Sequence, residues 1–354
     1  MHFNALNEIN VFKELMPKLI QYKPFSYLIN TKIYNNLYLK HIRKEVAVSE
    51  REGIFVNIET TNACNADCLM CPHSKMKRAT GTIKEEVFKK IVDSAVESGI
   101  NIRQFVLSGF GEPFADKNIF ERIAYVKSKG PYFVKLFSNA SLLDEIRIEK
   151  VFESGLDEIV VSFNGITKEI YEQVMKLPYE KSLQNVLALI DMKCIRLRSS
   201  SSGETANMSK QMNAGSQKPR IVLSCVRLEK NKEEVRKFNE FWKGKADEIL
   251  KPIPENWSGS MDQKSPWKYS KKGRMWPCRG MWDSLDFVWD GQVILCCRDY
   301  DGVVIIGDIN KSSVKEIMQK KREMGIKQLE KGDYSDAKIC CNCDTMGKNA
   351  VSYW

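Results

Sequence analysis

From residue 54 onward the chain alternates between short strand-forming runs and longer helical periods, and that alternation limits what it can fold into. Strand-like runs fall at 54–59, 105–108, 132–138, 158–163, 220–226 and 247–250. Amphipathic helical runs fall between them at 85–98, 119–129, 143–154, 183–193 and 233–243. Strands that alternate with helices predict an α/β fold with a parallel sheet and right-handed crossovers. In such folds ligands gather at the C-terminal ends of the strands, where the loops are free to specialise.

The rest of the chain divides around this unit. Residues 1–50 predict an N-terminal helical extension, with apolar and basic positions alternating (Phe12, Leu15, Leu19, Leu37, Ile42). Residues 51–255 form the expected core, interrupted at 198–218 by a serine- and glycine-rich stretch too polar to pack, read as a surface insertion. Residues 256–275 predict a linker, and 276–354 a small C-terminal domain with a β-hairpin at 287–295, an Asp290-Gly291 turn and a helix at 313–329.

Lys and Arg exceed Asp and Glu by 55 to 45, a net charge of +10. No compact basic block with interleaved aromatics occurs, so nucleic acid is not an expected partner. Nowhere do about 18 apolar residues follow one another, and no membrane span is expected. The 11 cysteines cluster at 64–71 and 278–343, with only Cys194 and Cys225 elsewhere. That is a distribution of metal ligands rather than of a disulfide scaffold, and it predicts a reduced, cytoplasmic protein.

Cys64, Cys68 and Cys71 sit on one short loop after the first strand. Three thiolates can hold an iron–sulfur cluster and leave one iron open to a small molecule. Zinc, with His73 as a fourth ligand, is the alternative. After the second strand comes Ser108-Gly109-Phe110-Gly111-Glu112-Pro113. Its glycines allow close backbone approach, and Glu112 with free carbonyls could hold an ammonium group.

Together these two motifs resemble the radical S-adenosylmethionine (SAM) enzymes, whose pattern is Cys-x3-Cys-x2-Cys plus a Gly-Glu-Pro-like turn. The resemblance covers roughly residues 50–255. It implies a partial (β/α)6 TIM-like barrel, with a [4Fe–4S] cluster on Cys64, Cys68 and Cys71 and SAM on the open iron. It also implies reductive cleavage of SAM to a 5′-deoxyadenosyl radical that abstracts a substrate hydrogen, fed by a flavodoxin- or ferredoxin-type donor. By position, Gly111, Glu112 and Pro113 would receive the methionyl amine. Ser138, Asn139, Ser162 and Asn164 would lie near the SAM carboxylate or ribose; read alone, these four are equally turn and cap residues. Met70 would shield the cluster.

The C-terminal cysteines, Cys278, Cys296-Cys297 and Cys340-Cys341-Asn342-Cys343, could enclose a metal fully, a zinc knuckle being the simplest reading. The layout resembles the SPASM/twitch extensions of radical SAM enzymes. Asp290-Gly291-Gln292-Val293-Ile294-Leu295-Cys296 fits the family's Asp-Gly-x-Val-x-x-Cys, and Cys340 with Cys343 its later Cys-x2-Cys. The resemblance implies one auxiliary [4Fe–4S] cluster on Cys278, Cys296, Cys340 and Cys343, with Cys297 and Cys341 as alternatives.

The implied function is a radical SAM oxidoreductase whose auxiliary cluster takes up an electron, acting on a carbohydrate, aminocyclitol or related small metabolite. Maturation of a ribosomally made peptide is one alternative. Epimerisation with Cys225 as hydrogen donor is another, although a strand cysteine also reads as a small core residue. A non-catalytic electron carrier is the reading from a different class. Trp257, Trp267, Trp276 and Trp282 could stack on a sugar ring or pack between domains.

Overall fold

Five apolar-rich residues, Ile54–Ile58, form strand β1, buried on both faces. Strands covered on both faces read as continuous hydrophobic runs, the mark of a parallel sheet flanked by helices. The computed structural model describes residues 43–44, 47–48, 51–200, 218–261, 278, 280–331 and 333–343. Most of the expected N-terminal extension and insertion, the linker from 262, Trp267 and Trp276 lie outside these residues.

The core follows the predicted alternation: α1 (Glu85–Glu97), β2 (Ile102–Val106), α2 (Ile119–Ser128), β3 (Val134–Ser138), α3 (Glu145–Glu153) and β4 (Glu158–Ser162). Then come α4 (Lys168–Met175), α5 (Tyr179–Ser200), β5 (Arg220–Ser224), α6 (Val235–Trp242) and β6 (Glu248–Leu250). Strands β1 to β6 pair in sequence order, every pair parallel, and the sheet stays open as a partial barrel. Sequence reasoning missed α4. Its spacing of Tyr171, Val174 and Met175, all buried, was the available signal. Helix α5 runs through residue 200 and so takes up the first residues of the expected insertion.

The C-terminal part contributes α7 (Gly280–Asp283), β7 (Ser284–Phe287), β8 (Gln292–Ile294), β9 (Ile305–Asp308) and α8 (Val314–Lys331). The expected hairpin is present as β7–β8, with Gly291 at φ 91°, a left-handed conformation that favours glycine. Its first strand starts earlier than expected and pairs in parallel with β1, Asn57 opposite Asp286. One nine-stranded sheet therefore runs β6-β5-β4-β3-β2-β1-β7-β8-β9. The polar residues Ser284 and Asp286 hid this strand, because their partners are Lys321 of α8 and Asn57 rather than apolar neighbours. Among the described residues no helix is long and apolar enough to cross a membrane.

Candidate active site

Where β1 ends, Glu59, Thr60, Thr61 and Asn62 are all buried, and the cysteine loop begins. Asn62 staples that loop: its Oδ1 accepts from the Gly81 amide at 2.7 Å and its Nδ2 donates to the Ala79 carbonyl at 2.9 Å. The Asn62 carbonyl meets His73 Nε2 at 2.8 Å, so that ring nitrogen is engaged with backbone rather than held out as a fourth zinc ligand. Glu59 forms a fork with Arg78, 2.5 and 2.6 Å, and accepts from the Phe110 amide. Arg78 reaches on to the Tyr300 carbonyl at 2.7 Å, tying the cysteine loop to the C-terminal part.

The glycine-rich turn packs against the same loop. A Cβ on Gly111 would stand 2.3 Å from the Thr61 carbonyl and 2.7 Å from that of Ala63, so no other residue allows this approach. The Glu112 amide then donates to Ala63 at 2.9 Å. The Glu112 side chain faces β3, accepting from Ser138 Oγ (2.7 Å), the Asn139 amide (2.8 Å) and the Phe114 amide (3.2 Å). Burial still pushes its carboxyl up to about 7 against those donors. Its side chain therefore braces the turn, and Gly109, Phe110 and Gly111 line the cavity beside it. Pro113 opens a short 3-10 turn and does not line that cavity.

A cavity of about 430 Å³ lies over the C-terminal strand ends. It brings together Cys64, Cys68, Cys71, Met70, Gly111, Glu112, Ser138, Asn139, Ser162 and Asn164. Asn139 links the walls: its Nδ2 donates to Asn65 of the cysteine loop at 3.0 Å and its Oδ1 accepts from Ser141. Asn164 Oδ1 accepts from the Val226 amide at 2.6 Å, which spends that atom on the strand ends. Sequence reasoning missed Asn57, Glu59, Glu255, Asp286 and Arg298 on the same wall, since no local motif marks them.

Cys225 is not brought to this cavity. It is buried beside Asn231, whose Nδ2 donates to Sγ at 3.6 Å, and burial raises its thiol to about 12. The geometry gives the hydrogen-donor reading no support, and Cys225 packs as a core residue. Trp257 donates from Nε1 to the Met70 carbonyl at 2.8 Å and lines the cavity. Trp282 is buried against Gly325 and is a packing residue.

Cys278, Cys296, Cys340 and Cys343 line one small second cavity. Cys341 is exposed, and Cys297 turns to the large cavity instead. Burial raises the thiols of Cys64, Cys68 and Cys71, the last to about 11, and those of Cys278, Cys296 and Cys340, the last to about 12, so a thiolate at either place asks for a cation to offset it. Among the described residues no three His, Cys, Asp or Glu side chains already close round a single ion. A four-iron cluster takes one thiolate per iron and spreads its ligands further than one ion does, and these two sets fit that donor chemistry.

A sequence profile for the radical SAM superfamily matches residues 58–201, and one for an iron–sulfur cluster-binding domain, SPASM, matches residues 278–344. The chain carries a radical SAM domain and, after it, a SPASM iron–sulfur domain. It is an enzyme that uses SAM and a [4Fe–4S] cluster, with auxiliary iron–sulfur binding in its SPASM part. It is 32% identical over 117 residues to a PqqA peptide cyclase of Granulibacter bethesdensis, a match covering 33% of this chain and 30% of that protein. It is 25% identical over 149 residues to a probable GTP 3′,8-cyclase of Methanothermobacter thermautotrophicus, covering 41% of this chain and 48% of that protein. Both matches thus span less than half of the relative. Among solved structures, BtrN in complex with AdoMet and 2-DOIA superposes with a TM-score of 0.53 at 16% identity, covering 82% of this chain and 93% of that one. Streptococcus suis SuiB bound to its precursor peptide SuiA gives 0.57 at 11% identity, covering 78% and 68%. At these identities the two structures bear on the fold.

Proposed function

We propose that this radical SAM enzyme is an oxidoreductase that removes a hydrogen atom, then an electron, from a small polar metabolite of the carbohydrate or aminocyclitol class, the remaining proton passing to solvent. The observation that carries this reading is the adjacency of the two cavities: Arg298 lines both, and the neighbours Cys296 and Cys297 divide between them. An electron left on a substrate in the large cavity has one residue to cross before it reaches the second cysteine set.

Cys64, Cys68 and Cys71 would hold the SAM-binding cluster, which supplies the electron that splits SAM into methionine and a 5′-deoxyadenosyl radical. The carbonyls of the 109–111 turn would accept from the methionyl amine, with Glu112 and Pro113 shaping that turn. Ser162 and Asn139, which line the cavity, would lie near the carboxylate and ribose, and Ser138 and Asn164 hold the strand ends beside them. Cys278, Cys296, Cys340 and Cys343 would hold an auxiliary [4Fe–4S] cluster, the acceptor of the second electron. Phe110, Trp257 and the 252–254 segment line the cavity and would keep water from the reacting centre. A flavodoxin- or ferredoxin-type donor in a reducing cytoplasm fits this scheme.

The test is anaerobic reconstitution with iron and sulfide, then SAM, dithionite and a panel of aminocyclitols and sugars. About eight irons per chain, 5′-deoxyadenosine and a product two electrons more oxidised are expected. In Cys296→Ser about four irons remain, 5′-deoxyadenosine still forms, and the oxidised product is lost. Four irons in the wild type would remove the electron acceptor and with it the oxidoreductase reading.

A second reading, modification of a ribosomally made peptide, is favoured by the PqqA peptide cyclase match. A precursor peptide that loses two hydrogens in the same assay, with the metabolite panel untouched, would establish it instead.

A further inference from the structure

Four neighbouring strands build one layer of the barrel interior. Val106 on β2, Asn57 on β1, Asp286 on β7 and Ile294 on β8 are register partners in that order, and all four line the large cavity. Paired residues of adjacent strands project from the same face of the sheet, so these side chains stand side by side. Asn57 is only 9% exposed and Asp286 4%. Asn57 Nδ2 donates to Asp286 Oδ1 at 2.8 Å. That bond fixes which way the amide faces, because the flipped amide would set its carbonyl against a carboxylate.

The consequence is an orphan. Asn57 Oδ1 has no hydrogen-bond partner among the described residues. Buried acceptors without donors are rare in native folds and call for an explanation, and this one belongs to a residue on the cavity wall. Asp286 is already provided for: Ser284 Oγ donates to its Oδ2 at 2.9 Å, and Lys321 Nζ stands 3.6 Å from the same oxygen. The floor is therefore balanced in charge, with one acceptor open. A cation would have to compete with Lys321, and an anion would meet two oxygens. A neutral donor completes the set.

We propose that Asn57 is a substrate-anchoring residue, its Oδ1 accepting a hydrogen bond from an uncharged hydroxyl of the substrate while Val106 and Ile294 pack against the carbon that carries it. This rests on the cavity being the substrate site of a radical SAM enzyme and adds the group that the site selects. A sugar-like ring and a serine or threonine side chain offer the same hydroxyl, and the anchor is the same for both.

Crystals of the holoenzyme, with clusters reconstituted and SAM bound, soaked in 1,2-propanediol, test the anchor with a hydroxyl probe in place of the substrate. A diol oxygen is expected about 2.6–3.0 Å from Asn57 Oδ1 with the carbon chain toward Val106 and Ile294. The diol is expected to lose that position in Asn57→Leu, or in Asn57→Ala should the leucine variant not fold. A diol that binds only elsewhere in the cavity overturns the proposal, as does Oδ1 taken by an atom of SAM. A diol equally bound in both variants, an adventitious additive only, overturns it too. Assay of the wild type for 5′-deoxyadenosine separates the two layers. None formed would sink the radical SAM reading of the cavity, whereas 5′-deoxyadenosine with no diol at Asn57 would sink the anchor alone.

Discussion

Gly111 shows how much a single missing side chain can decide. Its hydrogen faces the Thr61 and Ala63 carbonyls at distances no methyl group tolerates, so Gly111→Ala must push the turn away from the cysteine loop. We expect a loss of about 1–3 kcal/mol in the urea unfolding of the cluster-free protein and a reconstituted iron content reduced on the side of the first cluster. Unchanged iron and midpoint would contradict the close approach. Glu112 offers a pH signature. Its folded carboxyl is raised to about 7 from an ordinary 4.5, so the folded state holds a proton that the unfolded state releases. That contribution to stability is present below pH about 4.5 and is lost as pH rises toward 7, amounting to about 3 kcal/mol at one raised carboxyl. Comparing urea midpoints at pH 5 and pH 7, the wild type should weaken more than Glu112→Gln. Cys225→Ala, which removes a buried thiol away from the cavity, should keep 5′-deoxyadenosine formation within about twofold of wild type. Product formation abolished with 5′-deoxyadenosine retained would restore the hydrogen-donor role.

At the scale of elements, the six core strands and most helices were legible because apolar periodicity is a property of contiguous residues. Residues 54–59 and 158–163 announce strands from their own composition, and the motifs that follow strands one and two announce chemistry. β7 was only partly legible for the opposite reason. Its Ser284 and Asp286 are explained by Lys321, which lies 37 and 35 residues further on, and by Asn57 more than 200 residues earlier. Nothing local encodes such pairings. The buried lysine makes the element testable. Lys321→Met leaves the Asp286 carboxylate without its cation and should cost about 3 kcal/mol or more in urea. Lys321→Met with Asp286→Asn should recover part of that, and a double variant as unstable as the sum of the singles would show the two groups to be independent.

At the scale of the whole molecule, two cysteine sets far apart in the chain come to line two cavities that share Arg298. The sequence shows both sets but not their adjacency, which depends on β7 docking beside β1 and on the reach of Arg78 to Tyr300. The same docking has a further consequence. β1 pairs with β2 on one side and β7 on the other. A chain cut after residue 261 would keep the complete first cysteine motif yet present a flat, apolar strand edge to solvent, the template along which other chains add. Such a fragment should sediment as large assemblies rather than as a minimal SAM-cleaving catalyst, and a monodisperse monomer of it would contradict this. Should the fragment assemble, the SPASM part also serves as the barrel's guard against self-association.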